Sequence, residues 1–117
     1  MVVLVTGCAG YIGSVLTRLL LERHTVRGFD ALVFGVESLM GVAAHPRFEF
    51  IRADIRDEAA VRSALDGVDA VAHLAAIVGD PACAKQPDLA RAVNGRATMN
   101  LFRLAQESPR VQRFVFA

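Results

Sequence analysis

Short apolar runs alternate along the chain with segments in which apolar residues recur at a helical spacing. The first run, Val2–Thr6, is aliphatic and β-branched, which is typical of a strand buried on both faces. After a glycine-rich turn, apolar residues recur at i, i+3 and i+4 and predict a helix with a single apolar stripe. The stripe consists of Ile12, Val15, Leu16, Leu19 and Leu20.

The rest of the pattern predicts four more strands and two more helices. The strands are Thr25–Asp30, Phe48–Arg52, Ala70–Ala76 and Val111–Phe116. Asp57 is placed to cap a helix from Glu58 to about Leu65, and Gly67 to end it. A turn at residues 79–81 precedes a long helix that begins at Pro87 and has one apolar face. That face consists of Leu89, Val93, Ala97, Leu101 and Leu104. Residues 31–46 show weak periodicity and predict a loop with room for a helical turn.

Strands that alternate with helices predict a parallel sheet with right-handed crossovers. With the first strand at the centre, the predicted strand order is 3-2-1-4-5. The fold class is then α/β, a Rossmann-type sheet in a three-layer α/β/α arrangement. Such sheets bind ligands outside the carboxyl ends of their strands, at the point where the strand order reverses.

Composition narrows the class of protein. The 117 residues and 12.6 kDa fit one domain, residues 1–117, and a hydrophobic share of 54% excludes intrinsic disorder. A net charge of +1 without blocks of like charge predicts neither a nucleic-acid partner nor an anionic membrane. The two cysteines give no metal-ligand spacing and no disulfide framework, and neither a signal peptide nor a membrane span is evident. We therefore expect a soluble cytoplasmic protein without a metal site.

The turn after the first strand carries the strongest chemical signal. Gly7, Gly10 and Gly13 follow a G-x-x-G-x-x-G spacing and open the first helix. Glycine lets the backbone approach a pyrophosphate, and the helix N-terminus supplies unpaired N–H groups and a positive dipole end. The alternative is a glycine-rich turn that only packs the helix on the strand, but the strand–turn–helix context favours phosphate binding.

Two carboxylates follow predicted strands. Asp30 ends the second strand, 17 residues after Gly13, where a carboxylate can accept hydrogen bonds from ribose hydroxyls and repel a 2′-phosphate. This favours NAD over NADP, and Arg27 is expected to point elsewhere. Asp54 follows the third strand and is placed to meet an adenine amino group, with Ile55 stacking on the ring. The alternative is that Asp54 and Asp57 both only cap a helix and keep the surface soluble.

Small residues end the fourth strand in Leu74, Ala75 and Ala76, and they would let a cofactor pass close to the backbone. The preceding His73 is interpreted as a core-edge histidine bonded to the backbone rather than a general base. Asn94, in the long helix, either braces a neighbouring loop or lies on the surface. Cys8 is interpreted as a small packing residue, although a helix N-terminus can lower the pKa of a thiol.

The chain resembles the extended short-chain dehydrogenase/reductases, and among them the NAD-dependent epimerase/dehydratase family acting on nucleotide sugars. The resemblance covers essentially the whole chain through Thr6-Gly7-x-x-Gly10-x-x-Gly13, Asp30, Asp54-Ile55, His73-Leu74-Ala75-Ala76 and Asn94. It implies hydride transfer to and from bound NAD, and it assigns cofactor-binding roles along the chain. Those roles are pyrophosphate at Gly7, Gly10, Tyr11, Ile12 and Gly13, ribose at Asp30, adenine at Asp54 and Ile55, nicotinamide at Leu74, Ala75 and Ala76, and a position near the active site at Asn94.

The proton-transfer residues of that family have no counterpart here. The family carries a Ser or Thr and then a Tyr-x-x-x-Lys after the fifth strand, whereas Tyr11 belongs to the glycine loop and Lys85 to a connection. We therefore assign no catalytic residue and expect the later strands and the substrate domain to lie outside these 117 residues. A catalytically silent NAD-binding module and a self-associating Rossmann fragment, here a homodimer, are the alternatives. Steroids, flavonoid precursors and simple alcohols remain open as substrates beside nucleotide sugars.

Overall fold

The computed structural model describes residues 1–33, 35–75 and 87–117. Its five strands form one sheet in the order β3-β2-β1-β4-β5, and every neighbouring pair is parallel. In chain order the elements are β1 (Val2–Thr6), α1 (Tyr11–Leu20), β2 (Thr25–Asp30), a 3₁₀ turn (Glu37–Leu39), β3 (Phe48–Arg52), α2 (Glu58–Leu65), β4 (Ala70–His73), α3 (Pro87–Arg91), a π-helical segment (Ala92–Arg96), α4 (Ala97–Glu107) and β5 (Arg113–Phe116). The predicted α/β class and strand order are confirmed.

Alternating side chains of β1 divide the core into two layers. Leu4 faces the α2 and α4 side together with Phe29 and Leu101, while Val3 and Val5 face the α1 side. The sheet therefore lies between two helical layers, because a parallel strand buried on both faces needs cover on each. The 3₁₀ turn in the connection after β2 contributes Leu39 to the α1 side.

The start of α2 confirms the predicted cap. Asp57 accepts a hydrogen bond from the Ala60 N–H at 3.2 Å, and the helix runs over Glu58–Leu65 as expected. Gly67 follows with a φ of +75°, a left-handed conformation in which a Cβ is disfavoured. Both ends of α2 therefore lie where the local sequence predicts them.

Two predicted boundaries were wrong, and one helix contains a segment that was not predicted. β4 ends at His73 rather than at Ala76, because its neighbour β1 ends at Thr6. The Leu74 N–H still donates to the Thr6 carbonyl, but the Ala75 N–H turns to the Thr6 hydroxyl. β5 begins at Arg113 rather than Val111. The long helix begins at Pro87 as predicted but contains the π-helical segment Ala92–Arg96. Ala76 and the predicted turn at 79–81 lie outside the described residues.

The apolar stripe of α1 is only partly buried, which also differs from the prediction. Gly13, Ser14 and Thr17 form the buried face, and Leu16 and Leu20 are half-buried beside it. The remaining three residues of the stripe, Ile12, Val15 and Leu19, are 64%, 52% and 59% exposed. Small side chains are selected for the inner face because the helix approaches the glycine turn closely.

Candidate functional site

The glycine loop connects β1 to α1 at the carboxyl end of the central strand. Gly7 has a φ of +75°, and its N–H donates to the Phe29 carbonyl at 2.8 Å. A Cβ at Gly7 would lie 2.7 Å from the Ala75 nitrogen, and a Cβ at Gly13 would lie 2.0 Å from the Gly7 carbonyl oxygen. Both positions therefore require glycine, since no side chain fits between these backbones.

Gly10 differs from the other two glycines. It is exposed and has a φ of −75°. Among the described residues, an added Cβ would meet only the Gly7 oxygen, at 3.2 Å, and none of their side chains caps α1, of which Gly10 is the N-cap. The first helical hydrogen bond runs from the Ser14 N–H to the Gly10 carbonyl, so the N–H groups of Tyr11 and Ile12 have no partner within the helix. Both residues are exposed. This end of α1 can receive an anion.

Asp30 lies directly against the glycine loop. Its Oδ2 accepts the Ala9 N–H at 2.9 Å, and its Oδ1 accepts the Leu32 N–H at 2.8 Å. Each carboxylate oxygen can accept a further hydrogen bond, so the group can hold the loop and bind hydroxyls at the same time. The structure thus brings the predicted ribose and phosphate residues together at the edge of the sheet where the strand order reverses.

Arg27 is directed away from this edge, as predicted. Its Nε lies 2.7 Å from Glu49 Oε1 on the neighbouring strand β3. One of its terminal nitrogens donates to the Ala64 carbonyl at 2.7 Å and to the Asp66 carbonyl at 2.5 Å. The guanidinium is therefore committed to the end of α2 rather than to Asp30.

A second anchor of the glycine loop was missed from sequence. Ser38 donates its hydroxyl to the Ala9 carbonyl at 2.6 Å, and Arg18 in turn donates to the Ser38 carbonyl at 3.0 Å. Ala9 is thus held at both its N–H, by Asp30, and its carbonyl. Ser38 lies in the connection after β2, where weak periodicity gave no signal for this contact.

Asp54 and Ile55 follow β3 but differ in exposure. Asp54 is partly exposed, and its carboxylate accepts from Arg56 at 2.9 Å and 2.5 Å. Hydrogen bonding to Arg56 lowers the pKa of Asp54 below its ordinary value, so this carboxylate is ionised. The side chain of Ile55 is 5% exposed and belongs to the core beside Phe29 and Val61. Stacking of this side chain on a ring, as predicted, is disfavoured because the core already covers it.

His73 is fully buried between β1, β5 and α4. Its Nδ1 lies 2.5 Å from the Thr6 hydroxyl and its Nε2 2.8 Å from the Thr98 hydroxyl. Burial lowers its pKa to about 4, so the ring is neutral at pH 7. The interpretation as a core histidine is confirmed, but its partners are side-chain hydroxyls rather than the predicted backbone groups.

The segment after β4 and the helix that carries Asn94 complete this edge. Leu74 and Ala75 are half-buried. The Leu74 N–H donates to the Thr6 carbonyl at 3.0 Å and also lies 3.1 Å from the Thr6 hydroxyl, and the Ala75 N–H donates to that hydroxyl at 3.2 Å. Asn94 lies in the π-helical segment, one turn before Thr98, and its side chain is exposed. It lines a surface cavity of about 730 Å³ with Arg91, Gly95, Arg96 and Met99. π-Helical turns inside helices are frequent at functional sites.

Cys8 contributes packing rather than reactivity. Its side chain has no exposed surface, and a Cβ at Gly28 would lie 2.7 Å from its sulfur. Burial, and then the charge of Asp30, raises the pKa of the thiol to about 12. The packing interpretation is confirmed, and the alternative of a lowered thiol pKa is wrong.

Within residues 1–33, 35–75 and 87–117, no group of three or more His, Cys, Asp or Glu side chains is arranged to hold a metal ion. Across the same ranges, no helix combines the length and the apolar character that crossing a membrane requires.

Comparison with known families and sequences identifies relatives. The family described as "NAD dependent epimerase/dehydratase family" matches residues 3–117. A 3 beta-hydroxysteroid dehydrogenase/Delta 5-->4-isomerase of Mycobacterium tuberculosis is 41% identical over 119 residues, covering 97% of this chain and 30% of that protein. A dTDP-glucose 4,6-dehydratase of Streptomyces griseus is 44% identical over 80 residues, covering 62% of this chain and 24% of that protein.

A solved structure agrees with the fold. DesIV, a dTDP-glucose 4,6-dehydratase from Streptomyces venezuelae with NAD and TYD bound, superposes with a TM-score of 0.89 at 32% identity. The superposition covers 97% of this chain and 38% of that one. The chain thus spans less than two fifths of the length of each of these three proteins.

Proposed function

Since the chain belongs to the NAD-dependent epimerase/dehydratase family, we propose that residues 1–117 are the NAD-binding domain of an enzyme that transfers a hydride between a substrate alcohol and bound NAD. The observation that carries this proposal is the contact between Asp30 and the glycine loop at the reversal of strand order. In a dinucleotide site, a carboxylate in this position binds the ribose hydroxyls and the helix N-terminus beside it binds the pyrophosphate.

The residues around the loop fit the cofactor. The backbone of Gly7, Gly10, Tyr11, Ile12 and Gly13 would hold the pyrophosphate. Exposure of Gly10 supports this role, because a phosphate can approach there without meeting a side chain. Asp30 would bind the adenosine ribose, and its negative charge favours NAD over NADP.

The remaining contacts extend to both ends of the cofactor. Asp54 would meet the adenine amino group, and for this it must share its carboxylate with Arg56. Ile55 would border the adenine through its backbone, since its side chain is buried. Leu74, Ala75 and Ala76 would pass beside the nicotinamide, with Asn94 near the reacting centre.

NAD supplies a two-electron acceptor that takes a hydride from a secondary alcohol and can return it. We propose a nucleotide sugar as the substrate, because a dTDP-glucose 4,6-dehydratase and a UDP-glucose 4-epimerase are among the relatives. The proton transfer that accompanies this step is not assigned to any of the 117 residues.

A 3β-hydroxysteroid is a second candidate substrate. The steroid dehydrogenase/isomerase relative aligns with 97% of this chain, compared with 62% for the dTDP-glucose dehydratase. Both substrates present a secondary alcohol, so the cofactor-binding domain is compatible with either. Which of the two substrates is bound would depend on residues outside the cofactor-binding domain.

Titration calorimetry with NAD and NADP tests the cofactor assignment. Asp30→Asn should weaken NAD binding by about tenfold or more and reduce the preference over NADP, since a charge-assisted hydrogen bond is lost. Asp66→Asn makes the same charge change at an exposed residue at the end of α2 and should leave affinity unchanged. Equal effects of the two substitutions would refute the ribose assignment.

Gly10→Val tests the pyrophosphate assignment separately. The fold should survive, because among the described residues a Cβ at Gly10 meets only the Gly7 oxygen, at 3.2 Å, and a shift of a few tenths of an ångström relieves that contact, whereas NAD binding should be lost. Ala59→Val is the control, since it also introduces valine but at an exposed position of α2. Unchanged NAD affinity in a folded Gly10→Val variant would contradict the proposal.

Intact mass and turnover assays address the substrate. A mass above 12.6 kDa would show residues beyond Ala117, in which the Tyr-x-x-x-Lys pair should be found. Formation of reduced nicotinamide or a changed sugar is then followed with dTDP-glucose, UDP-glucose and a 3β-hydroxysteroid. NAD binding without turnover of any of them would favour the catalytically silent module.

For a chain of these 117 residues taken alone, self-association is proposed as well. Val115 and Phe116 on the edge strand β5 are 61% and 59% exposed, and edge strands offer backbone groups to a second chain. Light scattering should report a homodimer, and a monomer at high concentration would refute this.

A further inference from the structure

Ser38 holds the glycine loop from a distant part of the chain. It lies in the 3₁₀ turn of the connection after β2, is half-buried, and donates its hydroxyl to the Ala9 carbonyl at 2.6 Å. The N–H of the same Ala9 donates to Asp30 Oδ2 at 2.9 Å. One residue of the loop is therefore held at its carbonyl by the connection and at its N–H by the carboxylate proposed to bind ribose.

The turn that carries Ser38 is itself held in place. Leu39 and Val42 are buried in the core layer on the α1 side. Arg18 of α1 donates to the Ser38 carbonyl at 3.0 Å and to the Ser14 carbonyl at 3.1 Å. The Ser38 hydroxyl is therefore presented to the glycine loop by a turn that is packed on the core and bonded to α1.

These contacts close a ring around Asp30. Its second oxygen, Oδ1, accepts the Leu32 N–H at 2.8 Å, at the start of the connection. The chain continues from Leu32 to Ser38, and the ring returns through Ala9 to Asp30 Oδ2. Loss of the Ser38 bond opens this ring, so the Ala9 peptide and the carboxylate bonded to it both gain freedom.

We propose that Ser38 is a positioning residue that, through Ala9, orients the Asp30 carboxylate toward the hydroxyls of the adenosine ribose. The inference rests on the proposed function, since that function assigns Asp30 to the ribose. Ser38 acts through the backbone of the loop and needs no contact with the cofactor. Because Ala9 is half-buried, water can replace the lost hydroxyl, so its removal should disturb the orientation of the carboxylate more than the stability of the fold.

Calorimetry with ADP and 2′-deoxy-ADP isolates the ribose contact, because the two probes differ only in one hydroxyl that Asp30 would bind. The wild type should bind ADP about tenfold more tightly than 2′-deoxy-ADP. Ser38→Ala should reduce this affinity ratio to about twofold, whereas a general loosening of the loop weakens both probes by the same factor and leaves the ratio unchanged. Ser38→Thr keeps a hydroxyl and should restore the ratio.

Ser63→Ala is the matched control, since it removes a hydroxyl from an exposed position of α2, and its affinity ratio should equal that of the wild type. An unchanged ratio in Ser38→Ala, or an equal reduction in Ser63→Ala, would overturn the inference alone. A wild-type chain that binds neither NAD nor ADP, or that does not distinguish ADP from 2′-deoxy-ADP, would refute the proposed ribose site and this inference together.

A second variant covers failure of Ser38→Ala to fold. Arg18→Met keeps the apolar stem and the Ser38 hydroxyl but removes the guanidinium that holds the Ser38 carbonyl. It should reduce the affinity ratio in the same direction by a smaller amount, whereas Arg23→Met, at an exposed arginine after α1, should leave it unchanged. An unchanged ratio in Arg18→Met would show that the placement of the turn does not orient Asp30.

Amide hydrogen exchange, followed by NMR, provides a readout that needs no ligand. The Ala9 N–H is bonded to Asp30 Oδ2, and loss of the Ser38 hydroxyl should loosen this bond. In Ser38→Ala, exchange of the Ala9 amide should become about tenfold faster, while the amide of Val5 in β1 exchanges at the wild-type rate. Unchanged exchange at Ala9, or equal acceleration at both amides, would overturn the inference.

Discussion

Replacing Gly13 with alanine should lower the free energy of unfolding by about 2 kcal/mol. Gly13 lies on the buried face of α1, where the helix meets the glycine loop. The added Cβ would lie 2.0 Å from the Gly7 carbonyl oxygen, 2.9 Å from the Gly7 carbonyl carbon and 3.0 Å from the Cys8 Cα. All three atoms are backbone, so no side-chain rotation can relieve the contact.

The magnitude follows from what must move. Relief of the contact requires α1 and the loop to separate by more than 1 Å to reach an ordinary distance, and overpacking of this kind costs about 1–3 kcal/mol. The movement also strains the 3.0 Å hydrogen bond from Gly10 N–H to the Gly7 carbonyl, which contributes about 1 kcal/mol. The higher helix propensity of alanine offsets about 1 kcal/mol.

Urea unfolding followed by circular dichroism measures the effect. Gly95→Ala is the matched control, because it introduces the same methyl group where no atom of the described residues lies within 4 Å, and it should be neutral or stabilising. If Gly13→Ala unfolds at the same urea concentration as the wild type, the close approach of α1 to the loop is wrong. Melting temperature should fall in parallel, by about 4 °C for each kcal/mol.

Three further predictions concern buried groups. Because the pKa of His73 is lowered from 6.5 to about 4 in the folded state, the unfolded chain binds more protons between these values, and stability should fall by about 3 kcal/mol as pH decreases from 6.5 to 4. Urea unfolding across that range should show this slope in the wild type and a flatter one in His73→Gln. Thr17→Val should raise the free energy of unfolding by about 1 kcal/mol, since within the described residues the buried Thr17 hydroxyl has no hydrogen-bond partner; an unchanged or lower value would contradict this. Cys8, with a pKa near 12, should be alkylated by iodoacetamide at pH 8 only when the chain is unfolded in urea, and mass spectrometry detects the added mass. Rapid alkylation of Cys8 in the folded protein would show that the loop opens.

Local patterns were sufficient to predict the sheet. The continuous apolar run at β1, the cap at Asp57 and the glycine at position 67 each express a short-range preference, and the structure agrees with all three. The reversal of strand order also followed from sequence, because right-handed crossovers leave few arrangements for alternating strands and helices. Placement of Asp30 beside the glycine loop was predictable from the same topology.

The sequence by itself therefore determined the five strands, their order in the sheet and the edge at which the candidate site lies. Tertiary structure alone decided which face of α1 is buried, because the contact of Gly13 with Gly7 overrides the hydrophobic stripe. It also decided the end of β4 and the partners of His73, since Thr6 lies 67 residues away in sequence and reaches the ring only across neighbouring strands. Periodicity reports how a segment faces a core, whereas a hydrogen bond between distant side chains depends on the register of the strands that bring them together.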